Sequence, residues 1–285
     1  MRILTKLSSA VMVVALMFTF ACQQRNEVTS IDEIPQNVLN QIKKLGFTNT
    51  GVLATDGGYI VEGDIFLSNE ALAATPRHRH FLRIAEVEQY RTNNVVVTGG
   101  NRNITIYAPV GGRNGYSAGM IAGLDEAIAR YNALNLDISF TRVTSSNGAD
   151  IRMTRLSKRD ERRGVLGSAG FPTASGDPYG EIKMSGILES SYGLSTNGIA
   201  TIIGHEIGHC IGFRHTDYFD RSISCGGSPT NEGDGGVGAI LIPGTSSGAD
   251  LAGNGSWMLS CTDGSDRPFT NGDRTALDWM YNGNF

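Results

Sequence analysis

Charge of one sign is what this sequence most lacks. Its 285 residues carry 24 Lys and Arg against 28 Asp and Glu, a net charge of −4, so there is no bulk attraction for phosphate backbones. Nucleic acid is therefore disfavoured as a partner. Long apolar runs are scarce as well. Residues 8–20 (SSAVMVVALMFTF) form one near the start, and it falls short of the about 20 apolar residues that span a bilayer. Charged residues reach only 18% while apolar ones make up 40%, which excludes a mainly disordered or fibrous chain. No internal repeat, low-complexity tract, phosphate-binding glycine loop or serine-nucleophile elbow stands out. Glycine is plentiful, 37 residues, and that predicts much turn and loop.

The start of the chain has the parts of an export signal. Arg2 and Lys6 precede the apolar run, and Thr19-Phe20-Ala21-Cys22 ends it before the polar QQRNE. The segment resembles a bacterial lipoprotein signal, with Thr19 where such signals usually carry Leu. The resemblance implies removal of residues 1–21, a lipidated Cys22 and a location at the cell envelope, on an outer membrane where one exists; simple secretion is the alternative. Acyl chains on Cys22 would be the only link to a membrane. Three cysteines then remain, enough for one bridge. Cys210 falls within a helix and reads as a small buried residue. Cys225 and Cys261 lie in loop-rich sequence and are the favoured pair, in a compartment where disulfides persist.

Beyond the signal, residues 22–93 read as a polar tether and a small appendage. Val38, Leu39, Ile42 and Leu45 recur at helical spacing, and Gly46 stops that helix. Two short strands flank Asp56-Gly57-Gly58, a hairpin signal, and the Arg-rich residues 71–93 read as an exposed linker. From residue 94 the pattern is that of an α+β domain running to 285. NITIYAP, LDISFTRV, ADIRMTRL and EIKMSG read as strands, with the glycine-rich residues 164–180 as a loop. Residues 117–134 read as an amphipathic helix, 196–213 as a buried one and 271–281 as a terminal one, after a long irregular stretch.

The chemistry sits in HEIGHCIGFRH, residues 205–215. His205 and His209, four apart on a helix, share a face and can hold one ion. Gly212 permits the left-handed turn that brings His215 round as a third ligand. Three neutral imidazoles and one open position make a catalytic zinc site, where a structural site would fill all four positions. Zinc lowers the pKa of water from about 15.7 to about 7. Glu206, about 100° round the helix from His205, is placed to take a proton from that water and pass it to a departing amine.

These residues resemble the metzincin metalloproteases, with their HExxHxxGxxH signature, and more narrowly the bacterial dual-action HEIGH metallopeptidases. The resemblance spans roughly residues 100–285. It implies a twisted five-stranded mixed sheet with two long helices, above an irregular C-terminal subdomain that ends in a helix. It also implies a methionine-containing turn under the metal, for which Met258 is the candidate; Ser260 stands where some relatives have a tyrosine ligand. Residues 181–185 would be the strand that borders the cleft and pairs with substrate, and residues 259–269 would shape the pocket beside the zinc. Val61-Glu62-Gly63-Asp64-Ile65 is similar to the FxGDI segment of astacin propeptides, in which the Asp closes the metal site. Asp64 is thus a candidate latency ligand, and Arg77, Arg79, Arg83 and Arg91 offer cuts that would release the appendage.

The function expected is an exported zinc endopeptidase that acts on protein or peptide substrates, as a monomer, and is made as a latent precursor. The alternative is a surface binding or adhesion lipoprotein on the same fold, against which an intact Glu206 argues. Hydrolysis of a non-peptide substrate rests on analogy alone. Two minor metal readings accompany these: calcium at the acidic loops 231–236 and 263–273, which lack helix-loop-helix spacing, and a second metal at His78 and His80.

Overall fold

The computed structural model describes residues 34–73, 89–112, 114–245 and 248–283. The chain first forms helix α1 (Gln36–Lys44), strands β1 (Leu53–Thr55), β2 (Gly58–Val61) and β3 (Ile65–Ser68), and the short helix α2 (Asn69–Ala73). Strands β4 (Tyr90–Arg91) and β5 (Arg102–Tyr107), helix α3 (Ala118–Asn132) and strands β6 (Ile138–Val143) and β7 (Ile151–Arg155) follow. Then come helix α4 (Lys158–Arg162), strands β8 (Gly167–Ala169) and β9 (Glu181–Met184), and helix α5 (Thr196–Ile211). The single turn α6 (Ser222–Cys225), strand β10 (Ile240–Leu241) and helix α7 (Asn271–Tyr281) complete it.

Alternation builds the sheet. Ile104 and Ile106 of β5, Ile138 and Phe140 of β6, Ile151 and Met153 of β7, and Ile182 and Met184 of β9 are all buried at every second position. Strands β6, β5, β7 and β9 pair in parallel, and β8 joins β9 antiparallel. Helices α3 and α5 pack on each other and share one core with these strands, reaching to Trp257, Met258 and Tyr281. Ser117 caps α3 by accepting from the Met120 N–H, and Thr270 with Asp273 forms a capping box on α7.

These five strands, β5 to β9, are those the resemblance implies. The sheet continues beyond them. Ile65 of β3 pairs in parallel with Ala169 of β8, and β2 and β1 follow antiparallel, giving eight strands in the order β1-β2-β3-β8-β9-β7-β5-β6. The hairpin turn falls at Asp56 and Gly57.

Three readings need correction. Residues 164–180 are not all loop, because β8 lies within them; Gly167, Ser168 and Ala169 have no β-branched or aromatic signal, and pairing on both sides makes the strand. Strand β9 is flanked by β7 and β8, so residues 181–185 are one strand removed from the place expected of them; Gly167 of β8, not β9, lies against Glu206. The exposed linker read over 71–93 ends by Gln89. Gln89, Tyr90 and Thr92 are buried, and β4 pairs with β10, which holds Arg91 inside a ladder rather than at an accessible cut. Arg77, His78, Arg79, His80, Arg83, Cys22 and residues 1–33 lie outside the described residues.

Candidate metal centre

Helix α5 starts at Ser195, whose side chain accepts the Gly198 N–H. It is apolar on nearly all sides, and every residue from Gly198 to Ile211 is buried. Gly212 ends it at φ 109°, a left-handed conformation suited to glycine, and a Cβ there would lie 3.1 Å from the Asn94 carbonyl oxygen. The turn brings His215 back to His205 and His209, with ring centroids 5.2 Å and 4.9 Å away.

Each imidazole is oriented through Nδ1. His205 Nδ1 donates to the Trp257 carbonyl at 2.8 Å, His209 Nδ1 to the Phe213 carbonyl at 2.9 Å, and His215 Nδ1 to the Glu232 carboxylate at 2.7 Å. These acceptors keep the proton on Nδ1 and aim the three Nε2 lone pairs inward. Asp64 closes the group. Its Oδ2 lies 3.1 Å from Nε2 of both His205 and His215, and its Oδ1 lies 3.9 Å from His209 Nε2.

All four donor atoms fall within 4.8 Å of one another. His209 Nε2 is buried with no hydrogen-bond partner, and leaving such a nitrogen unsatisfied costs about 1–3 kcal/mol. Three lone pairs converging on a carboxylate, with no proton to share, make a donor set for a cation, and three imidazole nitrogens with one carboxylate oxygen suit zinc. Burial opposes the charge on Asp64, and only positive charge at the imidazoles, His215 first, holds its carboxyl well below the usual range; a cation on the three lone pairs would supply that charge in place of protons.

Glu206 lies beside this group. Burial, and then the charge of Asp64, push its carboxyl well above the ordinary range, and its Oε2 has no partner. It rests against β8 at Gly167, where any Cβ would collide with the Glu206 carboxyl. Beneath the helix, Met258 is fully buried, with its sulfur against Gly208. The Met258 segment is tied to both ends of the site. The Thr216 N–H donates to the Met258 carbonyl at 2.9 Å, and Trp257 Nε1 donates to the Gly204 carbonyl at 3.0 Å. Ser260 Oγ donates to Asp217 at 2.8 Å, and a disulfide joins Cys225 to Cys261 beside it.

Three residues that matter here escaped the sequence reading. Glu232, in the loop read as a calcium candidate, is buried against His215. Asp217 accepts from Ser260 and Ser224, and the only hint of it is its place two residues after His215. Glu62 forms a buried ion pair with Arg214 at 3.3 Å. Next to Glu206 a cavity of about 280 Å³ opens between α5 and residues 257–262.

The sequence pattern of the family described as dual-action HEIGH metallo-peptidase matches residues 60–281. Among solved structures, the crystal structure of myroilysin superposes with a TM-score of 0.37 at 13% identity, covering 63% of this chain and 83% of that one. No curated protein sequence matches. A match over most of the chain, around a convergent His205, His209 and His215 set, places this protein in the dual-action HEIGH metallopeptidase family, as a zinc peptidase.

Proposed function

We propose that His205, His209 and His215 hold a catalytic zinc ion, that Glu206 is general base and then general acid, and that residues 34–73 keep an exported precursor silent. The observation that carries this reading is the convergence of three Nε2 atoms, each fixed by an acceptor on its Nδ1, beside a buried carboxyl. Bound there, zinc supplies the Lewis acidity that polarises a peptide carbonyl and acidifies water. Glu206 accepts a proton from that water at its carboxylate and returns it to the departing amine. The raised affinity of Glu206 for a proton, set by burial, suits a group that must carry one between two steps. Trp257, Phe213 and Glu232 hold the imidazoles in place, and Met258 supports them from below.

Substrate adds as a strand to the edge of β8 once β3 has left. In the precursor the Ala169 N–H donates to the Asp64 carbonyl at 3.1 Å, and that donor becomes free for a substrate carbonyl. The precursor presents a side-chain carboxylate to the imidazoles rather than a peptide bond, so it occupies the site without being cut. Cys22 tethers the precursor to a membrane, and cuts at Arg77, Arg79 or Arg83 free the peptidase from both the appendage and that anchor.

The test uses the chain as exported, treated with trypsin and loaded with zinc, on casein. Wild-type protein is expected to cleave casein in a chelator-sensitive way. Glu206→Ala is expected to lose at least about a hundredfold in rate, the low end for a positioned acid-base group, while binding one zinc per chain. Cleavage undiminished in Glu206→Ala would remove Glu206 from its role.

A further inference from the structure

The cavity beside Glu206 contains a cation that is only weakly compensated among the described residues. Arg267 lines it, opposite Thr201 on α5, and its own backbone N–H donates to Thr201 Oγ1 at 2.8 Å. That bond fixes Arg267 one helical turn before His205. The residue is only 8% exposed. Its Nη1 donates to the Cys261 carbonyl at 2.9 Å, while its Nε is buried with no hydrogen-bond partner. Its ion-pair partner, Asp263, is 3.8 Å away and 73% exposed, a distance and exposure that give little compensation. Asp217 is fully buried, but its oxygens are already engaged by Ser260 and Ser224. Arg214 shows the contrast, since Glu62 and Glu232 both flank it.

Buried cations are ordinarily paired. Arg221, also lining the cavity, donates through Nη1 to the Glu62 carbonyl of the appendage but keeps an ion pair with the buried Glu232 at 3.5 Å. Among the described lining residues the only acids are Asp64, which belongs to the appendage, and Glu206, which is committed to proton transfer. With the appendage gone, the cavity therefore offers the Arg267 guanidinium and no free carboxylate among its described lining residues. The remaining surface is mostly apolar, with Val165, Leu166, Ile202 and Leu259 around the charge.

We propose that this cavity is the side-chain subsite for the residue that follows the scissile bond, and that it selects aspartate or glutamate through Arg267. The assignment to that side of the bond comes from Glu206, which protonates the departing amine and lines the same cavity, so the residue bearing that amine lies over it. The planar guanidinium matches a carboxylate with two parallel hydrogen bonds. This inference rests on the peptidase reading above.

The test digests a proteome-derived peptide library with the trypsin-processed, zinc-loaded chain and reads the residue after each cut by mass spectrometry. Asp and Glu are expected to be enriched about tenfold or more at that position, the factor for one charge-assisted hydrogen bond. In matched peptides the kcat/KM ratio of Glu over Ala is expected to fall toward unity in Arg267→Leu, with circular dichroism and zinc content confirming a folded protein. Arg267→Lys, which keeps the charge if the leucine variant fails to fold, is expected to hold the ratio above unity but below wild type. Active wild-type enzyme without acidic enrichment, or a ratio unchanged in both variants, would overturn the subsite alone. No cleavage of any peptide by the processed, zinc-loaded wild type would overturn the peptidase reading and the subsite with it.

Discussion

Glu62 stands at φ 57°, a left-handed backbone that costs a non-glycine residue roughly 1–2 kcal/mol. The turn it makes lets two carboxylates reach inward from one short segment, Glu62 to Arg214 at 3.3 Å and Asp64 to the imidazoles at 3.1 Å. The two have separable effects. Replacing Asp64 with Ala removes the carboxylate from the metal site while keeping the Glu62 anchor and the β3 pairing. The uncut Asp64→Ala chain is therefore expected to cleave casein at least about tenfold faster than the uncut wild type, the factor for ~1.4 kcal/mol. Equal silence in both uncut chains would mean that the appendage blocks by bulk rather than by its carboxylate. The histidines and Glu206 are legible in sequence because a helix period and one glycine turn confine them to eleven residues. Glu232 and the Trp257 carbonyl are not, because loops alone decide that residues 17 and 52 positions away return to His215 and His205.

Two elements carry the site, and they differ in what holds them. Helix α5 is secured by burial along its length. The segment from Ser256 to Arg267, by contrast, has no strand ladder and depends on side-chain bonds to Asp217 and Asp273 and on the Cys225–Cys261 bridge. The bridge spans 36 residues, and closing a loop of that size restricts the unfolded chain by about 4 kcal/mol. Replacing both cysteines with Ala is expected to lower Tm by roughly 10 °C, taking about 2–4 °C per kcal/mol for a chain of this size. Calorimetry under non-reducing conditions checks it, and an unchanged Tm would mean the loop is already fixed by its hydrogen bonds. Periodicity makes α3, α5, α7 and the parallel strands legible, because each buries a repeating apolar face. It fails at β8, whose Gly-Ser-Ala carries no apolar face; the strand exists because β9 and β3 offer it backbone partners on both sides.

At the scale of the molecule the question is whether the appendage belongs to the folding unit or rides on it. The main core draws on residues between Val96 and Tyr281 and includes none from α1 to β3. The appendage has its own small cluster around Ile42, Phe47, Val61 and Ile65, with Phe171 and Val237 packed against it from the main body. Its sheet junction is a single register pair, Ile65 with Ala169. Ile60 of β2 is fully buried against Leu156 and Val165 of the main body, and polar ties such as Thr55 to Asp160 at 2.9 Å and Arg163 to the Ala54 carbonyl at 3.2 Å add to the docking; this small cluster is separate from the main core. Zinc is different, because it ties the helix to the turn that follows it inside the main core. Free zinc at a thousandfold over its Kd stabilises by about 4 kcal/mol. Stripping it with a chelator is therefore expected to lower Tm by roughly 10 °C in the processed chain as well as in the precursor. Proteolytic removal of the appendage is expected to leave one cooperative transition, shifted less than by zinc loss. Differential scanning calorimetry on the four states, with and without zinc and appendage, decides it. Should the processed chain lose its transition while zinc is still bound, the three added strands would be part of the folding unit and not a detachable cover.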